Sequence, residues 1–226
     1  MPAYRSEAEA EIRDPVVCRL RELMPSARII HEIQCATWGP NRIDVLAVTD
    51  RKIVAVEIKS SKDKLDRLPK QISSMNSCAH HVIAALHSKF FRIIETPNAG
   101  TWIDHPKEAG ASQVWGFDLP EANGVEQYRR HELSSRWDKP SSCPPDGAID
   151  MLWRKELREI AARRKLHSAT SRLTIPELID VIKWNMNWSE ITAEVCAALR
   201  RRECPEADAP VVGQVSGPLL DGHECN

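Results

Sequence analysis

Apolar residues recur along this chain with two periods. From Ala27 to Leu86 they come in short, nearly continuous runs: Ile29, Ile30 and Ile33 within 27–34, then Arg42 to Val48, Ile53 to Lys59, and His81 to Leu86. Each run is rich in β-branched or aliphatic side chains and has the length of a strand. Runs without polar alternation imply burial on both faces of a sheet. The second and third flank Thr49-Asp50-Arg51-Lys52 and read as a hairpin in mid-sheet. Elsewhere the spacing is helical. Residues 6–24 place Ile12, Val16, Leu20 and Leu23 on one face, interrupted at Asp14-Pro15, an N-cap and first-turn pair. A helix from Pro69 to about Cys78 aligns Gln71, Ile72, Met75 and Ala79. Between these, Cys35 to Asn41 with Gly39-Pro40 reads as a turn, and 60–68 as a polar, basic connection.

The remaining elements follow the same logic. Residues 87–95 read as a short helix, 97–100 as a turn, 101–104 and 112–119 as short strands with Trp102 and Trp115 packed on the sheet, and 125–132 as an edge strand. Pro140, Pro144 and Pro145 mark a linker over 138–149. Three helices follow within 150–202: one over 150–165, one opened by the capping box Thr174-Ile175-Pro176-Glu177, and one capped at Asn187. Residues 203–226 hold five acids, no Lys or Arg and little apolar periodicity, and read as a flexible acidic tail.

Three charges interrupt the central runs. Glu57 and Lys59 are two apart and leave one face of their strand, and a small register choice puts Asp44 of the neighbouring strand beside them. Unpaired buried ions are strongly unfavourable, and two adjacent carboxylates tend to share a proton. A divalent cation removes that conflict, and Mg²⁺ takes a few carboxylate oxygens together with waters. A lysine beside it can orient a water or neutralise charge developing on a phosphate. The alternative is a buried Glu57–Lys59 or Asp44–Lys59 ion pair with no chemistry.

Asp44, twelve intervening residues, then Glu57-Ile58-Lys59 resembles the core signature of the PD-(D/E)XK nuclease superfamily. Ser60 to Ile72 and Val114-Trp115-Gly116-Phe117 are similar to segments of a small, poorly characterised bacterial and phage family within it, and the likeness runs over about residues 6–120. The superfamily's Pro-Asp is Ile43-Asp44 here. The resemblance implies a restriction-endonuclease-like core and metal-dependent hydrolysis of DNA. Asp44, Glu57 and the Ile58 carbonyl would hold Mg²⁺, with Mn²⁺ able to substitute, and Lys59 would activate water. A helical glutamate often joins the metal in such folds. Glu11, in Glu11-Ile12-Arg13, best matches that run, with Glu7 and Glu9 as rivals, Glu32 as another carboxylate able to reach the pocket, and a solvated acidic face as the plain alternative. Related nucleases also aim a Gln from the helix after the lysine at the site. Gln71 fills that position, but the aromatic residue four places later is Met75.

The expected architecture is an α/β sandwich: a mixed central sheet flanked by helices (6–137), the linker (138–149), a C-terminal helical region (150–202) and the tail (203–226). A net charge of −1 means that DNA must be met by local patches. Seven cysteines without a Cys-x-x-Cys pair point to reduced thiols in a cytoplasmic protein, and His223, Cys225 and Cys204 match no zinc spacing. No stretch has the length for a membrane span. Residues 151–202 carry eleven basic and six acidic side chains. Arg163-Arg164-Lys165 and Arg200-Arg201-Arg202 are therefore candidates to touch phosphates, against packing onto the sheet or a homodimer. The competing functional reading is a non-catalytic nucleic-acid-binding protein that keeps the fold.

Overall fold

The computed structural model describes residues 6–36, 41–97, 100–110, 112–133, 146–166 and 170–211. Its centre is a five-stranded mixed sheet in the order β1-β2-β3-β4-β7. β1 (Arg28–Gln34), β2 (Arg42–Val48) and β3 (Ile53–Lys59) form an antiparallel meander. β4 (His81–His87) and β7 (Gln113–Phe117) then add in parallel. The antiparallel half needs only tight turns, whereas each parallel addition needs a crossover. Helix α2 (Leu68–Asn76) supplies the first crossover. A small ribbon, β5 (Arg92–Thr96) paired with β6 (Gly100–Asp104), lies within the second.

Alternation along β2 and β3 sorts the core. Val45, Ala47, Val54, Val56 and Ile58 face helix α1 (Glu7–Leu23) and meet Ile12, Val16 and Leu20. Each buried Val, Ile or Leu among them contributes about 1.5–3 kcal/mol. Leu46, Val48, Ile53 and Ala55 face the other way, toward α2 and the C-terminal helices α4 (Arg154–Arg163), α5 (Ile175–Asn185) and α6 (Trp188–Arg201). Those helices bury Leu157, Ile160, Leu178, Ile182, Val195 and Leu199 in the same core as the sheet. Both expected caps are present: Thr174 and Asn187 accept from the backbone N–H of Glu177 and Glu190. Among the described residues no helix is long and apolar enough to cross a membrane, and Cys18, Cys35, Cys78, Cys196 and Cys204 are free thiols.

Several elements differ from the sequence reading. Helix α1 runs through Pro15 and is capped by Ser6 rather than Asp14. Pro15 is exposed, and the burial of Ile12, Val16 and Leu20 on either side holds the helix together across the missing N–H. The expected helix over 87–95 is a single 3₁₀ turn, Ser88–Phe90, followed by β5, because Ile93, Ile94 and Thr96 pair with β6. The expected edge strand over 125–132 is instead a short helix, α3 (Glu126–Arg129). Val125 and Tyr128, three apart, turn inward together, and Tyr128 meets Phe91 edge-on at 5.2 Å. Trp115 is buried on the sheet as expected, while Trp102 stands half-exposed on the ribbon.

The largest difference is at the C-terminal end. Residues 203–211, assigned to the acidic tail, fold back along the free edge of β1. The His31 N–H donates to the Glu206 carbonyl and the Asp208 N–H to that of Ile29, at 2.8 and 2.9 Å. The Asp208 carboxylate accepts from the Ile29 N–H at 2.9 Å and pairs with Arg21 at 2.6 Å. These acids thus cover an edge strand that would otherwise expose unpaired backbone groups. Residues 212–226, most of the linker, and the turn residues 37–40, 98 and 99 lie outside the described residues.

The basic triplets serve the same packing. Arg163 and Arg164 both bind Glu194, a carboxylate buried under them, and Arg164 also pairs with Glu190 at 3.6 Å. Arg202 is itself buried. It pairs with Glu156, donates to the Met151 carbonyl at 2.9 Å, and stacks on Trp153 at 4.4 Å. Arg28 reaches across from β1 to the carbonyls of Leu199, Arg200 and Arg202 and closes the end of α6. Most of these arginines are therefore structural cations, already matched, rather than a surface for phosphates.

Candidate active site

The site forms where the sheet opens around Asp44. β2 and β3 are in register from Val48↔Ile53 to Val45↔Val56, and the pairing ends before Asp44 and Glu57. Beyond that point the Ile58 N–H is taken by Asp44 Oδ2 at 2.8 Å, so a side chain replaces the backbone partner. On the other flank the β1–β2 register passes over Glu32 and Asp44, between His31↔Val45 and Ile33↔Ile43. Glu32 has φ 57°, a left-handed conformation that is strained for a glutamate inside a strand.

By alternation, Asp44 shares the face of Leu46 and Val48, and Glu57 and Lys59 that of Ile53 and Ala55. All three carry their side chains toward α2. Glu57 is 1 % and Lys59 5 % exposed. Lys59 Nζ lies 2.5 Å from Glu57 Oε1. Gln71, brought in by α2, donates its amide to the same oxygen. Among the described residues Glu57 Oε2 and the Gln71 carbonyl oxygen are buried without a hydrogen-bond partner, which native proteins seldom tolerate without a functional reason.

Burial pushes the Asp44 carboxyl up to about 6, against the opposing pull of the Ile58 N–H and the Lys59 and Arg13 charges. Burial, followed by the Asp44 charge, pushes Glu57 up to about 8, although Lys59 and Gln71 favour its ionised form. The site thus holds two carboxyl groups that oppose each other's ionisation, with the Lys59 ammonium against Glu57.

Arg13 is the site residue missing from the sequence reading. It is 1 % exposed and projects from α1 into the gap between β1 and β2. Its Nη1 donates to the Asp44 carbonyl at 2.8 Å and to His31 Nδ1 at 3.1 Å. Its Nη2 donates to Glu32 at 2.7 Å, and its Nε to Glu9 at 3.1 Å. Burial and the neighbouring Arg13 charge lower the His31 pKa, consistent with an imidazole that accepts. Glu32 bridges onward to Arg42 at 2.7 Å. The chain Arg42–Glu32–Arg13 therefore braces the backbone of Asp44 from behind.

Of the expected residues, Asp44, Glu57, Lys59 and Gln71 come together, with Ile58 between them. Glu11 does not join them. It is exposed because successive helix positions turn by about 100°, so that burying Ile12 and Arg13 sends Glu11 outward. Glu7 is exposed as well, and Glu9 and Glu32 are spent on Arg13. A sequence signal for Arg13 did exist: Glu9 and Arg13 have the (i, i+4) spacing of an ion pair on one helix face, beside the apolar stripe.

Arg13→Met should widen the gap behind Asp44 and remove the cation that Glu9 and Glu32 share, with Glu32 keeping Arg42. Loss of one partner from such a buried set costs about 3–5 kcal/mol, measurable by urea unfolding. Arg13→Lys, which keeps the charge but loses the fork, should recover only part of it.

Among the described residues no three or more His, Cys, Asp or Glu side chains are arranged to hold a metal ion. Two carboxylates, one with an orphaned buried oxygen, nevertheless suit Mg²⁺, which commonly takes one or two protein carboxylates and fills its shell with water. The donor set fits a hard divalent cation and does not fit zinc, which prefers nitrogen and sulfur.

These features define a mixed α/β protein with a buried acid–lysine–glutamine site at the centre of its sheet. Residues 3–99 match a family described as Bacteriophage P4 protein cII, a stretch that contains Arg13, Asp44, Glu57, Lys59 and Gln71 and ends before β6. The chain therefore bears a phage-related likeness over its N-terminal part. No curated protein and no solved structure matches it.

Proposed function

We propose that this chain is a metal-dependent deoxyribonuclease of the PD-(D/E)XK type, hydrolysing DNA phosphodiester bonds in a phage-related setting such as repair, recombination or defence. The observation that carries the reading is the convergence of Asp44, Glu57, Lys59 and Gln71 at one buried site, where burial resists ionisation of both carboxyl groups and the Asp44 charge resists that of Glu57. Asp44, Glu57 and the Ile58 carbonyl would hold Mg²⁺ or Mn²⁺. When bound, the ion would supply a water of lowered pKa and a Lewis acid for the phosphate.

The protein's own groups have separate tasks. Asp44 and Glu57 present anionic oxygens from two strands, Asp44 fixed by the Ile58 N–H and Glu57 by Gln71. Gln71 keeps Glu57 Oε1 in place and leaves Oε2 available. Lys59 holds a positive charge at the pocket, where it orients the attacking water and stabilises the charge that develops on the phosphate oxygens.

A second reading is supported by the same contact: the Lys59–Glu57 pair could be structural, in a nucleic-acid-binding protein without activity. Labelled linear, branched and single-stranded DNA, incubated with Mg²⁺, with Mn²⁺ and with excess chelator, separates the two. Cleavage with either metal and none with chelator is expected. Activity undiminished by chelator would rule out the proposed chemistry. Absence of cleavage from every substrate, together with a melting temperature indifferent to Mg²⁺, would leave the structural pair.

A further inference from the structure

Two buried thiols meet where the ends of β1 and α2 come together. Cys35 follows the last residue of β1, and its N–H donates at 3.1 Å to the carbonyl of Asn41, one residue ahead of β2. Cys78 stands two residues past the end of α2, with its N–H and its thiol bonded to the Met75 carbonyl at 3.0 and 3.5 Å. The side-chain amide of Asn41 donates to the Ser74 hydroxyl at 2.5 Å, and the Cys78 thiol reaches the Ser74 carbonyl at 3.6 Å. The residue paired with Cys35 is thus bonded to a residue that Cys78 touches. Cys35 is 5 % exposed and Cys78 fully buried, both in the core that the sheet shares with α2. Their two side chains are hydrogen-bond partners.

Neither sulfur takes part in the carboxylate site, yet the chain between them carries all of it: Asp44, Glu57, Lys59 and Gln71 lie within 35–78. The contact also has a direction. The hydrogen bond from Cys78 lowers the Cys35 pKa against the effect of burial, while the same contact and burial raise that of Cys78. A thiolate, the reactive form, therefore arises first at Cys35, the more exposed of the two. Cys18, Cys196 and Cys204 lie elsewhere, on α1, on α6 and just after α6.

We propose that Cys35 and Cys78 form a reversible disulfide site, oxidised by a peroxide, that staples the end of α2 to the end of β1. The Cys35 thiolate attacks one peroxide oxygen and the O–O bond breaks, giving a sulfenic acid and a hydroxide that takes up the thiol's proton as water. The Cys78 sulfur then attacks the Cys35 sulfur. The S–O bond breaks, and the departing hydroxide leaves as a second water with the Cys78 proton. Two thiols are thereby oxidised to one disulfide, and one peroxide is reduced to two waters. Both cysteines stand just past their elements, so the approach from contact to a bond falls on connections rather than on a strand or helix interior. The closed loop holds Gln71 and the three charged site residues together, and it stabilises chiefly by restricting the unfolded chain. Thiols that are reduced at rest and paired only under oxidation are the usual form of a redox-sensing pair. The pair stands whether or not the carboxylate site cuts DNA.

The test uses the full chain, reduced and then treated with hydrogen peroxide under native conditions. Remaining thiols are blocked with N-ethylmaleimide in denaturant, and the chain is cut with trypsin, which separates the two cysteines by cleaving after Arg42 and Lys70. Mass spectrometry of the wild type should show the Cys35 and Cys78 peptides joined, less two hydrogens, and separated again by dithiothreitol. The oxidised protein should melt about 5–10 °C above the reduced one. Cys35→Ser and, separately, Cys78→Ser should abolish both the joined peptide and the oxidation-dependent shift, whatever their own baseline stability. Cys18→Ser should leave both in place. The peptide map of the wild type decides the matter even if a core variant fails to fold. Cys35 carried on to sulfinic acid without a joined peptide overturns the proposal, as does pairing of either cysteine with a different one. So does a joined peptide that appears only after denaturation, or one that forms without raising the melting temperature.

Discussion

Lys59→Ala is expected to lower DNA cleavage by about 10²–10³-fold or more while leaving stabilisation by Mg²⁺ largely intact. Lys59 puts its ammonium against Glu57 at 2.5 Å. In the hydrolytic reading its charge serves the water and the phosphate, so its loss falls on the rate. The carboxylates remain to bind the ion and repel each other more without the lysine, so binding of a divalent cation should be at least as favourable. Cleavage rates and the melting temperature with and without Mg²⁺ measure the two effects separately, since a ligand of the folded state raises stability by mass action. A structural ion pair predicts the opposite pattern: loss of a few kcal/mol of stability and no response to Mg²⁺ even in the wild type. Lys59→Met, which keeps the apolar stem, isolates the charge from the packing.

Asp44→Asn should remove both cleavage and the response to Mg²⁺, yet raise the stability of the metal-free protein above neutral pH. The asparagine carbonyl can still accept from the Ile58 N–H, so the hydrogen bond that replaces the ladder at this point survives. Asp44→Ala would leave that N–H unpaired and is the poorer probe. The pH dependence follows from the direction of the shifts. Asp44 is raised to about 6 and Glu57 to about 8 in the fold, while in the unfolded chain both release their protons near 4. Between those values the unfolded state binds fewer protons than the folded one, so stability falls as pH rises. Metal-free wild type should therefore lose stability from about pH 4 upward, on the order of 3 kcal/mol from the Asp44 shift alone. Mg²⁺ should restore it at pH 8, where the carboxylates are ionised to receive the ion. In Asp44→Asn the curve should flatten, because one titration is gone and Glu57 is relieved of its neighbour's charge. Chemical denaturation across pH 4–9, with and without Mg²⁺, gives the curves. A metal-free wild type that becomes more stable toward pH 8 would show that the two carboxyl groups are not in conflict.

The two basic triplets show how a charge pattern can mislead. Counting residues makes 151–202 a positive segment, but Glu194 lies under Arg163 and Arg164, and Glu156 under Arg202. Linear charge says nothing about which cations are already matched. Exposure shifts attention to Lys62, Lys64, Arg67 and Lys70, a shorter run that follows Lys59 in the chain.

The strands and the core of the site were legible because their signals are local. Continuous β-branched runs of strand length read as strands buried on both faces, and on such a strand Glu57 and Lys59, two residues apart, share a face. The spacing from Asp44 to Glu57 matches a hairpin turned at 49–52, and the register Val48↔Ile53 to Val45↔Val56 carries the two toward each other just past the end of the pairing. β5 was not legible because a five-residue strand exposed at every position carries no burial pattern to read, whereas β6, which buries Ile103, was read as a strand over 101–104. Which glutamate approaches Asp44 was decided only by the rotation of α1 on the sheet. Packing of Ile12, Val16 and Leu20 fixes that rotation, turns Glu11 to solvent and delivers Arg13. The return of residues 203–211 along β1 likewise depends on a free strand edge nearly 180 residues away, where backbone groups need partners. A sequence shows what each residue prefers among its neighbours, and only the folded chain decides which distant partner satisfies it.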